Sequence, residues 1–371
     1  MGSIPADIKI LGRTSKEAPD VLFWTGSRYE MNVRASYLTV RIEAQYGGQE
    51  QWIAVLVNRA LVCRMPLLRG ENEIIIFRNR NASEVKNVYI VKEVQPMGGD
   101  GPNYIRLTGV ETDGEFLPVE EPKMRLLFIG DSITSGEGAM GALSENDWVA
   151  QLFSGVNNYA FMIAEALGAD YQVVSQSGWG VYCGYNNDYH MNVPGIYDRV
   201  CALVTTTSPE GGTAGVCGSL EEYDYSAFEP DVAVINLGTN DGGACGSEAY
   251  TDPETGTVCK MNKGPDGGPD AESTKRFADA AVSFLRKLRA AHPKAYLLWV
   301  YGMLGYDMEK AIETAIGQYR EQSGDERIGY QRLPDTTPEA FGARCHPGTI
   351  SHRRAAEVIT KRVREIFGNT P

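Results

Sequence analysis

Ser132 stands in Gly130-Asp131-Ser132, directly after the apolar run Met124-Arg125-Leu126-Leu127-Phe128-Ile129. That run reads as a short buried strand, and Ile133 to Gly138 reads as a tight loop. A serine at such a junction is presented at a sheet edge beside free backbone N–H groups, the placement a nucleophile needs. Its hydroxyl attacks only if a base takes its proton. The chain offers four histidines, His190, His292, His346 and His352. His292 precedes a proline at the end of an amphipathic stretch and reads as a helix stop. His190 lies in a polar loop. His352 opens the last helix and is expected to face solvent or its own cap. His346 precedes Pro347, which disfavours helical backbone and holds the residue extended. It is the candidate base.

Acyl transfer also needs donors for an oxyanion, commonly two or three N–H groups at about 3 Å. Two further glycine-rich junctions follow apolar runs, Val173 to Gly180 and Val234 to Asp241. The N–H groups of Ser132 and Gly180 and the side chain of Asn240 are the candidate donors. The plainer reading is that Gly178 and Gly180 make a turn, and that Asn240 and Asp241 cap the next segment. Trp179, Tyr182 and Asp241 are candidate substrate contacts, with Tyr185 and Tyr189 further along the same loop. A structural role for Trp179 as a core plug competes with that reading.

These loops need elements to position them. The first ~120 residues read as short alternating strands, 37–44, 52–57, 73–77 and 85–91, which predicts a sandwich or jelly roll. The Pro-rich acidic stretch Leu117 to Lys123 reads as a linker. Residues 1–120 are therefore expected to form an all-β domain and 121–371 an α/β domain. In the second part, strands 126–129, 171–174, 232–236 and 296–300 alternate with helices 157–167, 273–291 and 351–367. That rhythm predicts a doubly wound parallel sheet, whose ligands bind at the carboxyl ends of the strands. The segments 182–228 and 242–270 are rich in Gly, Asn, Asp and Thr and read as long loops covering a site.

The 371 residues carry a formal net charge of -13, with 43% hydrophobic and 22% charged residues. No basic excess exists to neutralise phosphates, so nucleic acid and anionic membrane are not expected partners. No apolar run reaches the ~20 residues of a membrane span. The start Met1-Gly2-Ser3-Ile4-Pro5 lacks the pattern of a secretory leader, so a cytoplasmic location is expected, with secretion after leader removal as the alternative. Seven cysteines without Cys-x-x-Cys spacing read as free thiols, the rival being disulfides among the five from Cys183 to Cys259. No His/Asp/Glu set has ligand spacing, so neither a metal nor a cofactor is expected.

Gly-Asp-Ser, the second-block glycine, Gly-Thr-Asn-Asp and a late histidine together resemble the SGNH (GDSL-type) hydrolases. The four marker residues correspond to Ser132, Gly180, Asn240 and His346. With an N-terminal β domain, Gly12-Arg13-Thr14, Gly130 to Thr134, Tyr223-Asp224-Tyr225 before Pro230-Asp231, and Tyr301-Gly302-Met303, the chain is similar to carbohydrate esterase family 2. The resemblance implies an acetyl esterase acting on plant hemicellulose such as xylan or glucomannan, or on derived oligosaccharides. Most SGNH enzymes place an aspartate three residues before the histidine. Here that position is Ala343. The resemblance therefore implies a Ser–His dyad with a backbone carbonyl orienting the imidazole, the alternative being Asp335 or Glu339 folding back.

Overall fold

The computed structural model describes residues 5–208 and 211–368. The chain divides into two compact units. The first holds the residues up to Pro122 together with Asp147–Val156 and Asp198–Tyr223. The second holds Lys123–Asn146, Asn157–Tyr197 and the residues from Asp224 onward. The units interleave in sequence, because two later segments return to the first.

The first unit is built from β1 (Lys9–Leu11), β2 (Val21–Leu22), β3 (Arg28–Arg34), β4 (Leu38–Gln45), β5 (Gln51–Val57), β6 (Ala60–Leu67), β7 (Gly70–Phe77), β8 (Val85–Lys92), β9 (Tyr104–Thr112) and β10 (Glu115–Leu117). One sheet runs β1-β3-β8-β5-β6, with β10 also beside β3, and the other runs β2-β9-β4-β7. Their pairings are antiparallel. Strand β4 alternates strictly, burying Leu38, Val40, Ile42 and Ala44. These meet Tyr29, Met31 and Val33 of β3 and Ile53, Val55 and Val57 of β5 in one apolar core. Two sheets closing on one core make the expected β-sandwich. The β5–β6 hairpin turns through Asn58 and Arg59, both at positive φ (52° and 64°), as a two-residue turn requires. The returning segments are pinned by buried polar groups. Glu93 pairs with Arg64 at 2.7 Å and accepts from Ser154 Oγ at 2.8 Å and from the Val156 N–H at 2.9 Å. Arg13 of the Gly-Arg-Thr motif lies 4.3 Å over the Tyr223 ring and donates to the Arg199 carbonyl.

In the second unit β11 (Met124–Gly130), β12 (Ala169–Ser175), β13 (Val232–Asn236), β14 (Tyr296–Tyr301) and β15 (Ile328–Arg332) form a five-stranded sheet. Its order is β12-β11-β13-β14-β15, parallel throughout. The helices are α1 (Ser132–Ser135), α2 (Tyr159–Leu167), α3 (Thr239–Ala244), α4 (Ala271–Ala291), α5 (Glu309–Ser323) and α6 (Thr349–Phe367). Helix α4 buries Phe277, Ala281, Phe284, Leu285 and Leu288, the face its spacing predicts, and Asp270 caps it by accepting from the Ser273 N–H. The segments read as long loops hold only short elements, among them one helical turn at Val193–Ile196 and the two-stranded pieces Thr205–Thr207 with Thr213–Gly215 and Tyr250–Thr251 with Val258–Cys259. Helix α5 and strand β15 escaped the sequence reading, although Ala311, Ile312, Ala315, Ile316 and Tyr319 lie at helical spacing and are all buried.

Phe277 is fully buried, its ring edge-on to Trp299 at 6.3 Å between centroids. Truncating a buried phenylalanine removes its transfer energy and leaves a cavity. Phe277→Ala is expected to destabilise the protein by about 3–5 kcal/mol, read as a lowered denaturant midpoint of the full chain.

Candidate active site

The sheet brings the three glycine-rich junctions level. In the β11–β12 register Gly130 faces Ser175, and in the β11–β13 register it faces Asn236. The residues after these three strand ends therefore emerge along one edge, where the strand order reverses between β11 and β13. Gly130 makes a close approach: a Cβ there would lie 1.9 Å from Thr134 Oγ1. Asp131 caps α1, its Oδ1 accepting from the Ile133 N–H at 3.0 Å. Ser132 is the first helical residue, and its own N–H has no intrahelical carbonyl to serve.

His346 reaches Ser132 across the fold. Its Nε2 lies 3.0 Å from Ser132 Oγ, and its Nδ1 lies 2.8 Å from the Arg344 carbonyl. A carbonyl only accepts, so it fixes the proton on Nδ1 and leaves the Nε2 lone pair for the serine hydroxyl. The carboxylates offered as alternatives are engaged elsewhere. Asp335 accepts from the Gly305 and Thr336 N–H groups. Glu339 accepts from Thr337 Oγ1 and faces Arg354 at 3.5 Å. The Arg344 carbonyl is aimed by unusual backbone: Arg344 and Cys345 sit at φ 56° and 54°. Two successive non-glycine residues in this region cost about 1–3 kcal/mol each and persist only where their surroundings over-determine them.

Three expectations need correction. The Gly180 N–H donates to the Met191 carbonyl at 3.2 Å and is not free for an oxyanion. Gly180 is small for another reason: a Cβ would sit 2.4 Å from Asp241 Oδ2. Gly178 is the glycine whose N–H serves no protein acceptor among the described residues, while its carbonyl receives the Tyr185 N–H at 3.1 Å. Asp241 has no exposed surface, so it does not line a substrate surface. Its carboxylate accepts from the N–H groups of Val181, Tyr182 and Cys183 at 2.9, 2.8 and 3.3 Å and thereby folds that loop. His352 neither faces solvent nor caps its helix. It is buried, stacked on Tyr159, and its Nδ1 accepts from the Tyr159 N–H at 3.3 Å. Burial, with repulsion from His346, lowers its pKa to about 3 and keeps it neutral.

Asn240 lies at this edge, its Nδ2 donating to the Trp179 carbonyl at 2.9 Å and to Asp131 Oδ2 at 3.3 Å. Trp179 and Tyr182 are half-buried, the Tyr182 hydroxyl lying 3.7 Å from Cys259 Sγ. Tyr185 is 54% exposed and covers Gly178, where a Cβ would lie 3.2 Å from its ring. His190 bonds Asp252 at 3.0 Å, and His292 caps α4 and bonds the Tyr197 hydroxyl at 2.6 Å. All seven cysteines are free thiols. Among the described residues no group of three His, Cys, Asp or Glu is placed to hold a metal ion, and no helix is long and apolar enough to cross a membrane.

A serine hydroxyl bonded to an imidazole, at the switch point of a parallel sheet, defines an α/β hydrolytic fold. The GDSL-like Lipase/Acylhydrolase family matches residues 128–325, more than half of the chain, and the chain belongs to that family. It is a carboxylic-ester hydrolase. The structure is similar to that of an acetyl xylan esterase from the rumen bacterium Butyrivibrio proteoclasticus, with a TM-score of 0.93 and 39% identity over 98% of this chain and 97% of that one. In sequence it is 24% identical to an acetylxylan esterase / glucomannan deacetylase of Cellvibrio japonicus over 97% of this chain and 89% of that protein. It shares the fold of a family two carbohydrate esterase from Clostridium thermocellum solved with cellohexaose (TM-score 0.75, 21% identity, 97% of this chain and 99% of that one).

Burial raises the pKa of Asp131 to about 7, with Asp241 and Glu137 adding repulsion, and burial raises that of Asp241 to about 6. A carboxyl whose folded pKa exceeds its unfolded value of about 3.9 binds protons preferentially in the folded state. Its contribution to stability is fully present below about pH 4 and is lost as pH rises to about 7. Asp131→Asn lacks this loss. The stability difference, variant minus wild type, is expected to grow from pH 5 to pH 8 in parallel denaturation curves.

Proposed function

We propose that this protein is a carbohydrate O-acetyl esterase that deacetylates hemicellulose, xylan or glucomannan, or oligosaccharides derived from them. The observation that carries the chemistry is the Ser132 Oγ to His346 Nε2 contact of 3.0 Å with a carbonyl, not a carboxylate, at Nδ1. The activities of the Butyrivibrio and Cellvibrio relatives support the substrate class. His346 takes the Ser132 proton as Oγ attacks the acetyl carbonyl. The N–H groups of Ser132 and Gly178 receive the oxyanion. Asn240 Nδ2 joins them as its longer bond, to Asp131, gives way. His346 then returns the proton to the departing sugar oxygen, and water releases acetate from Ser132 by the same route. A carbonyl orients the imidazole without adding a full negative charge, so the pair works as a dyad.

The proposed sugar contacts are Tyr185, the exposed ring over Gly178, and Trp179, the residue after that glycine. An aromatic face stacks on the apolar face of a pyranose ring.

Ser132→Ala is expected to abolish acetate release from acetylated xylan and glucomannan, followed by NMR of the acetyl signals. His346→Gln is expected to lower kcat by at least 10³-fold. A series of nitrophenyl esters should lose turnover steeply beyond acetate. Comparable turnover of octanoate would point to a lipase-like acyl site instead.

A further inference from the structure

A dyad lacks the negative charge that a triad carboxylate lends to the imidazolium. A buried glutamate stands close to that imidazole on the other side. Glu137 follows Ser132 by five residues, and its backbone N–H donates to the Ser132 carbonyl at 3.0 Å. Its side chain is 3% exposed, and Oε1 lies 3.9 Å from His346 Nε2. The same oxygen accepts from Arg344 Nε at 2.8 Å. Arg344 is the residue whose carbonyl holds His346 Nδ1.

The strained turn is tied down on several sides. The Arg344 N–H donates to the Glu145 carbonyl at 2.8 Å, and its Nη1 donates to the Asn146 carbonyl at 2.6 Å. Beside Glu137, Gly138 (φ 71°) receives the Ala343 N–H at 3.0 Å. A Cβ there would meet His346 Cβ at 2.6 Å. The glutamate thus touches both halves of the reactive pair, through the turn that follows the nucleophile and the turn that precedes the base.

Resting on the dyad reading above, we propose that Glu137 is a positioning residue for His346 in two respects. Through Arg344 it locks the left-handed turn whose carbonyl fixes the imidazole. Through its carboxylate it stabilises the imidazolium formed when Ser132 gives up its proton. The other charged and titratable groups around this pair are the Arg344 guanidinium, Asp131 next to Ser132, which feels the charges of Glu137 and Asp241, and the buried, neutral His352 of α6, which feels that of His346. Arg344 offsets part of the Glu137 charge, so the net effect is smaller than that of an unpaired carboxylate.

The test compares Glu137→Gln, which keeps the acceptor for Arg344 and removes the charge, with Glu137→Ala, which removes both. The probe is p-nitrophenyl acetate, which needs Ser132 and His346 and no sugar. Glu137→Gln is expected to lower kcat about 10-fold with KM within twofold. Glu137→Ala should lower kcat about 100-fold and lose the downfield proton resonance of the His346 Nδ1–H, which Glu137→Gln retains. Wild-type kcat in Glu137→Gln overturns the proposal, as does a loss carried by KM alone. Normal cleavage of the nitrophenyl ester without acetate release from either polysaccharide would instead overturn the substrate reading and leave this comparison standing.

Discussion

The candidate catalytic edge depends on the register of three parallel strands. Gly130, Ser175 and Asn236 pair in one row across β12, β11 and β13. The three proposed oxyanion donors, Ser132, Gly178 and Asn240, follow that row by two, three and four positions. A slip of one residue in either pairing would turn the side chains of a strand to the opposite face and break the row. The slip is prevented by burial on both faces of the sheet: Leu126 to Ile129, Val173, Val174 and Val232 to Ile235 are all buried. The apolar interior thus sets the geometry of a polar edge.

The proposed base comes from outside that row and is held differently. His346 lies on a turn between β15 and α6, and backbone groups rather than a carboxylate orient it. The turn stores strain at Arg344 and Cys345, and an ion pair to Glu137 with two carbonyl contacts holds it in place. Asp241 does comparable work on the opposite side, gathering three N–H groups of the loop after Gly180. In both places a carboxylate organises backbone.

Much of this was legible in the sequence. Strict alternation in 38–44 and the one-sided spacing of Phe277, Ala281, Phe284, Leu285 and Leu288 each record which face is apolar, so the sandwich strands and α4 could be read directly. Ser132 and Asn240 were legible as candidates because each stands at a junction between an apolar run and a turn signal, and His346 because Pro347 holds it extended ahead of a helix. Gly180 was misread because two glycines flank Trp179. Sequence does not say which of the two N–H groups a neighbouring carbonyl will consume. Asp241 was misread because an exposed ligand contact and a buried loop anchor use the same side chain. His352 was misread because its helical position alone gives no sign that Tyr159 covers it.

The sequence by itself determined the two kinds of architecture, the candidate nucleophile, the candidate base and the absence of an aspartate three residues before that histidine. These follow from local patterns, since periodicity and turn chemistry act over a few residues. Tertiary structure alone decided which N–H groups stay free, that Asp335 and Glu339 point elsewhere, that the Arg344 carbonyl accepts from the imidazole Nδ1–H, and that Glu137 stands 3.9 Å from the ring. Those facts join residues up to about two hundred positions apart. Their distances are fixed by packing of the whole sheet and its loops, which no short stretch of chain encodes.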